Sequence, residues 1–324
     1  MLTSRPRDLV RRARAVSAAA AALAWGCAAP QKTRWESELA AGRKALEGRR
    51  LPEADRRLTA ALRASERFPP DDPRRVETLQ ALAAFRFSQG ELGESERLYL
   101  SAARLVESRV GDARTETAEA LKLAGDVQTL RDRHAEAEAT YRKALAVAER
   151  MVGADDPRLA PRLRDVALTL QALGRAREAE PLFRRALELV ERARGPEHPE
   201  VAARLHDLAQ LHHNEGRLAE AAPLYQRMLA IQSKTLAGDP PAQAPFLQSM
   251  ALFEQARGKL DEAETLYRTT IAILEAAPGQ DVRLETALEH YAHLLRARKR
   301  DREADAMERR ALALRETRER GGRR

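Results

Sequence analysis

Four histidines come closest to a chemical site in this chain. His206 and His213 lie seven residues apart, so they share one face of a helix, and His290 and His293 lie three residues apart on another helix. A zinc ion needs three or four converging ligands. Neither a cysteine nor a His-x-x-x-His spacing supplies them locally. Structural or surface histidines are therefore favoured over a metal or enzyme site centred on His206, His213 and His293.

The composition argues against several other kinds of chemistry. The 324-residue chain has 44% hydrophobic, 33% charged and only 4% aromatic residues, a profile typical of long amphipathic helices. Its net charge is +8, of which residues 1–26 account for +4. The rest mixes both signs and lacks the basic stripe and stacking aromatic residues of nucleic-acid binding. With no nucleophile motif, phosphate loop or paired acids, we predict no enzyme activity, no cofactor, no nucleic-acid partner and no small-molecule substrate.

The N-terminal segment 1–26 is predicted to be an export signal. Its arginines precede an Ala-rich apolar stretch that is too short to span a bilayer. Cys27, the only cysteine of the chain, follows directly in a Leu-Ala-Trp-Gly-Cys run. This run resembles a bacterial lipobox, which implies acylation of Cys27 and, because Ala28 comes next, delivery to the outer membrane. The alternative is an ordinary secretory signal that is cut near Ala28-Ala29.

A repeat of 42 residues organises the rest of the chain. Glutamates recur at this step, and aromatic residues recur five positions after them. The glutamates are Glu94, Glu136, Glu178, Glu220 and Glu262, and the aromatic residues are Tyr99, Tyr141, Phe183, Tyr225 and Tyr267. So strict a period predicts a solenoid of stacked helix pairs, in which each ring fills the space between two helices. Seven such units can be laid out.

Each unit carries its own start and stop signals. Asp72-Pro73 and Asp156-Pro157 predict helix starts, because aspartate caps the first turn and proline needs no N–H there. Residues at one repeat position end the first helix with a positive φ, which favours glycine. They are Gly90, Asp132, Gly174, Gly216, Gly258 and, in a drifted last unit, Lys299. In the best-formed unit the predicted helices are 158–173 and 178–194.

Three features are predicted to be exposed to solvent. The Glu-Ala-Glu runs that open the second helices suit exposed faces, since a negative charge is favoured in the first turn of a helix. His212 shares its repeat position with mostly polar residues, which predicts a solvated side chain; these are Arg86, Gln128, Leu170 and Glu254. In the last unit Glu308 stands where the aromatic residue belongs, which predicts a polar end.

The units resemble tetratricopeptide repeats of the 42-residue type found in kinesin light chains. In one unit the matching residues are Leu205, Leu208, Ala209, Gly216, Glu220, Ala221, Leu224, Tyr225 and Leu229. The resemblance covers residues 36–318. It implies an all-α, right-handed superhelical solenoid of about seven helix-turn-helix repeats, with a concave groove along the first helices that binds a protein or an extended peptide.

The groove positions carried over from the family are mostly polar. In successive units they are Gln80, Ala84 and Phe87; Lys122, Asp126 and Thr129; Arg164, Leu168 and Gln171; His206, Gln210 and His213; Gln248, Leu252 and Gln255; Glu289, His293 and Arg296. Lys122, Arg164 and His206 occupy one position in three successive units. We expect a partly cationic row there that suits acidic or amide side chains, and we expect charge reversal at Lys122 and Arg164 to weaken partner capture without changing stability.

The sequence thus predicts four segments and one kind of function. The segments are a signal (1–26), a tether (27–35), the repeat domain (36–318) and a disordered basic tail (319–324). The predicted function is a non-catalytic protein–protein interaction scaffold, held by a lipid on Cys27 at the outer membrane of a bacterial cell envelope and facing the periplasm. A secreted protein and a soluble cytoplasmic adaptor, whose arginine-rich start is not a signal, are the alternatives.

Overall fold

The computed structural model describes residues 33–69, 72–107, 115–235 and 239–322, where every regular element is helical. The chain divides into two compact units between Arg175 and Ala176. The first unit contains α1 (Arg34–Glu47), α2 (Leu51–Ser65), α3 (Pro73–Ser88), α4 (Leu92–Glu107), α5 (Thr115–Leu130), α6 (His134–Val152), a 3-10 turn (Pro157–Leu159) and α7 (Ala160–Ala172). The second contains α8 (Ala176–Arg194), α9 (Pro199–Asn214), α10 (Leu218–Thr235), α11 (Pro240–Ala256), α12 (Leu260–Glu275), α13 (Asp281–Ala297) and α14 (Asp301–Gly322). The predicted all-α repeat architecture is confirmed.

The helix starts follow the predicted capping chemistry. A side-chain oxygen of Asp72 accepts a hydrogen bond from the N–H two residues ahead at 2.9 Å, and Asp156 makes the same bond at 2.8 Å. Each is followed by a proline at the first helical position. The Nδ1 atom of His198 caps α9 in the same way at 3.2 Å. These side chains satisfy N–H groups that the first turn of a helix leaves without a partner.

The turns inside the repeats confirm the predicted positive φ. Gly174 has a φ of +72°, which glycine adopts without steric cost. Asp132 and Lys299, which replace glycine at this repeat position, also have positive φ values of 56° and 59°. The repeat geometry is therefore kept where the preferred residue is missing.

The recurring aromatic residues form the packed interior of each repeat. None of the five exceeds 6% exposure, and Tyr225 and Tyr267 are completely buried. The alanines four residues before the later four rings, Ala137, Ala179, Ala221 and Ala263, are also at 0%. A small side chain lets the two helices approach closely, and the ring then fills the remaining space, as the sequence predicts.

The second carboxylate of the acidic runs is not on an exposed face, which corrects the sequence prediction. The side chains of Glu96, Glu180 and Glu264 are only 6%, 19% and 10% exposed. Each accepts a hydrogen bond from the arginine that follows the positive-φ turn of the next repeat, at 2.8, 2.8 and 2.7 Å. The arginines are Arg133, Arg217 and Arg300. The carboxylates thus join one repeat to the next.

The N-terminal boundary of the repeats also differs from the prediction. Trp35, assigned to a tether, lies in α1 and is 7% exposed. Its Nε1 atom donates a hydrogen bond to Thr78 Oγ1 at 2.7 Å, and its ring contacts Phe68 edge-on at 5.8 Å. A tryptophan with a buried polar partner is part of the core. The predicted signal and Cys27 lie outside the described residues.

The C-terminal helix continues beyond the predicted end of the repeats. Residues 319–322, assigned to a disordered tail, belong to α14. Glu316 and Arg320 lie four residues apart and form an ion pair at 3.4 Å, a spacing that supports an exposed helix. Glu308 is 45% exposed and pairs with Arg296 at 2.7 Å, which confirms the polar character of this end.

Candidate partner-binding face

The predicted groove positions form one face of each first helix, here called the first-helix face, because they are spaced three and four residues apart. Most of their polar side chains are half-buried. The half-buried residues are Gln80, Lys122, Asp126, Arg164, Gln171, His206, Gln210, His213, Gln248 and Glu289, whereas His293 and Arg296 are exposed.

Polar side chains of the first-helix face contact the neighbouring first helix within each unit. In the second unit, His206 Nε2 on α9 lies 2.7 Å from Ser249 Oγ on α11, and Gln248 Nε2 lies 2.7 Å from His290 Nδ1 on α13. In the first unit, Gln80 Nε2 on α3 donates to the backbone carbonyl of Glu116 on α5 at 3.5 Å. These bonds hold the polar groups of successive repeats in place.

Lys122 is not a free cation, which corrects the predicted basic row. Its ammonium group pairs with Asp126 on the same helix, and both side chains are at most 15% exposed. Asp126 also accepts a hydrogen bond from Tyr141 Oη at 2.8 Å. Burial raises the pKa of Asp126, against the opposing effect of Lys122. Reversing the charge at Lys122 would leave Asp126 beside a second anion, so that variant is expected to lose stability as well as binding.

The negative charge of a second carboxylate in the first compact unit, Asp165, is only partly balanced by its neighbours. Its Oδ2 atom is buried without a hydrogen bond and lies 3.6 Å from Arg162 Nη1. Burial raises the pKa of Asp165 to about 6, although Lys122 opposes the shift. Removing charge from water without full hydrogen bonding destabilises the folded state.

Replacing Asp165 by asparagine is expected to raise the free energy of unfolding at pH 7 by about 1–3 kcal/mol. The folded-state pKa lies above the ordinary value of 3.8. The folded chain therefore gains a proton first as the pH falls, and the advantage of the variant should shrink between pH 6 and pH 4. Urea unfolding at several pH values measures this difference. Asp132→Asn, at a side chain that is 96% exposed, should show no such pH dependence, and a pH-independent gain in Asp165→Asn would contradict the assignment.

Histidine and aromatic side chains meet on the first-helix face of the second unit. The His206 ring lies edge-on to Phe246 at 5.2 Å, and the His213 ring lies edge-on to Phe253 at 5.8 Å. Both histidines are 6.4 Å from the ring of Tyr225. Burial lowers the pKa of His213. We call the group of His206, Gln210, His213, Tyr225, Phe246, Ser249 and Phe253 the Tyr225 cluster. The sequence identified the histidines but not their ring contacts.

His212 is buried, which corrects the prediction of a solvated side chain. It is 2% exposed, with its ring nitrogens 3.9 Å from Glu180 and 3.6 Å from Glu220. Burial lowers the pKa of His212, and Arg217 adds to this effect. The repeat position is polar because it lies at the ionic junction between repeats. Gln128, at the same position, is also buried and donates to Glu96 at 3.0 Å.

The last helix engages two of the predicted groove residues. Arg315 on α14 donates to Glu289 at 2.5 Å, and Arg296 donates to Glu308 on α14 at 2.7 Å. Glu289 and Arg296, which were expected to face a ligand, are therefore bonded to α14 instead. The part of the second unit that remains open to a partner is therefore centred on α9 and α11.

Neither a metal site nor a membrane-spanning helix is found among the described residues. There, no three histidine, cysteine or acidic side chains are arranged to hold a metal ion. His206 and His213 belong to the Tyr225 cluster, whereas His293 is exposed. None of the helices described is both long and apolar enough to cross a bilayer.

Comparison with known proteins identifies the repeats. The family model of the tetratricopeptide repeat matches residues 74–150, 160–234 and 244–317, more than half of the chain. A search of curated protein sequences finds no match.

Several solved structures are similar to this chain. BtubC (BKLC) from P. vanneervenii has 22% identity over 76% of this chain and 94% of its own, with a TM-score of 0.58. A tetratricopeptide repeat protein from Parabacteroides merdae ATCC 43184 has 17% identity over 87% and 94%, with a TM-score of 0.64. A Rap protein complexed with Competence and Sporulation Factor has 15% identity over 88% and 75%, with a TM-score of 0.53. At these identities the likeness shows the fold alone.

Proposed function

Because the chain belongs to the tetratricopeptide repeat family, we propose that it is a non-catalytic scaffold that binds an extended segment of a partner protein on its first-helix face. The family fold generally serves protein interaction. The finer parts of the proposal are the binding face, export, and a lipid anchor on Cys27 that holds the protein at the outer membrane of a bacterial envelope.

One observation carries the choice of the first-helix face. Its polar side chains are half-buried and are held by hydrogen bonds to the next first helix, as in His206 with Ser249 and Gln248 with His290. Groups that are already ordered lose little conformational entropy when a partner binds. The Rap protein of similar fold, which was crystallised with Competence and Sporulation Factor, is consistent with a scaffold that holds a ligand.

The raised pKa values of Asp126 and Asp165 do not indicate an enzyme. Shifted pKa values occur in active sites but also in structural ion-pair networks. Asp126 is bonded to Lys122 and Tyr141, and Asp165 lies against Arg162, so burial between helices accounts for both shifts. No catalytic family matches the chain.

Changing Gln171 to arginine is expected to reduce partner capture from bacterial membrane extracts at least severalfold. Gln171 is half-buried on α7, and a longer charged side chain would obstruct an extended ligand there. The full chain serves as bait, and bound proteins are quantified by mass spectrometry. Ala139→Arg, on the exposed face of the second helix α6, is the matched control and should retain full capture. Equal recovery by the two variants would move the binding site away from the first-helix face.

Changing Cys27 to serine is expected to abolish fatty-acid labelling and to release the protein from membranes. Acyl chains on Cys27 would be its stable hold on the bilayer, because buried methylene groups supply the binding energy. Metabolic labelling with palmitate and membrane fractionation measure both effects in the parent and the variant. A mature N-terminus beyond Cys27, or unchanged membrane association of the variant, would contradict the lipid anchor.

A further inference from the structure

The hydroxyl group of Tyr225 is buried without a hydrogen-bond partner. Tyr225 is 0% exposed, and its Oη atom makes no hydrogen bond. Most buried polar groups in native proteins are hydrogen-bonded, because leaving one unpaired is unfavourable. A position that keeps such a hydroxyl therefore calls for an explanation.

Two other tyrosines at the same repeat position, Tyr141 and Tyr267, donate to an acceptor on a first helix. Tyr141 Oη donates to Asp126 Oδ1 at 2.8 Å, and Tyr267 Oη donates to Gln255 Oε1 at 3.2 Å. The positions on α9 that match these two acceptors hold Gln210 and His213. Neither accepts from Tyr225. Phe183, in another repeat, shows that the fold does not require a hydroxyl at this position.

The side chains around the Tyr225 hydroxyl make contacts that do not involve it. Gln210 Nε2 donates to Ser249 Oγ at 3.4 Å, whereas the half-buried His213 makes ring contacts and, among the described residues, no side-chain hydrogen bond. A rotation of the His213 ring would therefore break no hydrogen bond. Phe253 packs on Tyr225 at 4.8 Å and provides an apolar wall.

None of the seven residues of the Tyr225 cluster is a carboxylate or permanently charged, and Arg257, whose guanidinium lies over the Phe253 ring at 5.3 Å, is paired with Glu254 at 3.2 Å. Burial lowers the pKa of His213, so its ring stays neutral at neutral pH. A ligand carboxylate would lose its water without gaining a cation, which is costly. A neutral group that both accepts and donates hydrogen bonds matches these neighbours better.

We propose that the Tyr225 cluster is a subsite for a carboxamide side chain, asparagine or glutamine, of the extended partner segment. The Tyr225 hydroxyl donates to the amide oxygen of the ligand, and Gln210 Oε1 accepts from its amide nitrogen. This inference rests on the proposed function, since it assumes a segment bound on the first-helix face. It assigns a chemical preference to one position of that segment.

The unpaired hydroxyl is tested in the free protein by thermal unfolding. Tyr225→Phe should leave the Tm unchanged or raise it, because the lost hydroxyl makes no bond. Tyr267→Phe, which removes a bonded hydroxyl from an equally buried ring, should lower the Tm by about 2–4 °C. An equal fall in both variants would show that Tyr225 has an intramolecular or water partner. That result would overturn this inference and leave the proposed function intact.

The preference for an amide is tested with the full chain on an array of short extended peptides. One central residue is asparagine, glutamine, aspartate or leucine, and the flanking residues are randomised. The parent and Tyr267→Phe should favour asparagine or glutamine, and Tyr225→Phe should lose this preference by about five- to tenfold, the effect of one hydrogen bond. A preference for aspartate or leucine, or an unchanged profile in Tyr225→Phe, would overturn the subsite. Binding to no peptide at all would overturn the proposed function together with it.

Discussion

Replacing Tyr225 by alanine is expected to lower the free energy of unfolding by about 3–5 kcal/mol, the usual loss for a buried aromatic side chain. The ring is completely buried and packs against Phe253 at 4.8 Å and against His206 and His213. Alanine would leave a cavity between α9, α10 and α11. Repeats are stabilised by their immediate neighbours, so the helices that line this cavity should loosen before the rest of the unit.

Urea unfolding followed by circular dichroism measures the total loss in Tyr225→Ala, and hydrogen exchange locates it. Exchange should accelerate first in α9, α10 and α11. Tyr225→Phe is the matched control, because it keeps the ring and should keep the stability of the parent. A loss below about 1 kcal/mol in the alanine variant would be inconsistent with a fully buried ring.

Replacing Glu264 by alanine is expected to cost about 2–4 kcal/mol, because the change leaves several hydrogen-bond donors without their acceptor. The side chain of Glu264 is 10% exposed and accepts hydrogen bonds from Tyr291 Oη at 3.0 Å, from Arg298 at 2.7 Å and from Arg300 at 2.7 Å. These bonds join α12 to α13 and to the turn before α14. The arginines keep partial contact with water, which places the cost below that of a fully buried ion pair.

Glu262, two residues earlier on the same helix, provides the control for Glu264. Its side chain is 56% exposed and pairs only with Lys259, at 3.4 Å. Glu262→Ala should change the stability by no more than about 0.5 kcal/mol, as is usual for exposed ion pairs. Equal effects of the two substitutions would show that the junction between repeats does not depend on the buried carboxylate.

The pH dependence of the Glu264 contribution follows from its pKa. Burial alone would raise this pKa, but hydrogen bonds from Arg300 and Tyr291 outweigh burial and lower it. A lowered folded-state pKa means that the stabilisation is complete above the ordinary value of 4.5 and is lost as the pH falls through the folded value. The difference between the parent and Glu264→Ala should therefore shrink in acid, whereas that of Asp165→Asn shrinks at a higher pH.

Local rules were sufficient to predict the helices and the turns that separate them. Asp72 and Asp156 cap helices because a short acidic side chain can reach the free N–H groups of its own first turn. Asp132 and Lys299 adopt positive φ because the repeat period places them where the first helix must end. Such effects act over a few residues, and the 42-residue period then assigns the same role to the matching residues of every repeat.

Burial of polar side chains could not be read from the sequence. His212, Glu180 and Trp35 all lie in segments that look solvated, yet each is enclosed by residues of the neighbouring helix pair. The hydrogen-bond partner of Trp35 is 43 residues away in the sequence, and Gln128, a partner of the buried Glu96, is 32 residues away. Whether a carboxylate is exposed depends on such distant partners, which periodicity does not reveal.

The sequence by itself determined the all-α repeat architecture, the positions of the turns and the rings that fill the core, because these follow from periodic, short-range preferences. Only the tertiary structure decided which predicted groove residues are free for a ligand. Lys122 is neutralised by Asp126, Glu289 and Arg296 are taken by α14, and the hydroxyl of Tyr225 is left unpaired. The physical reason is that hydrogen bonds and ion pairs are settled by the geometry of side chains brought together from successive helices, which no single helix specifies.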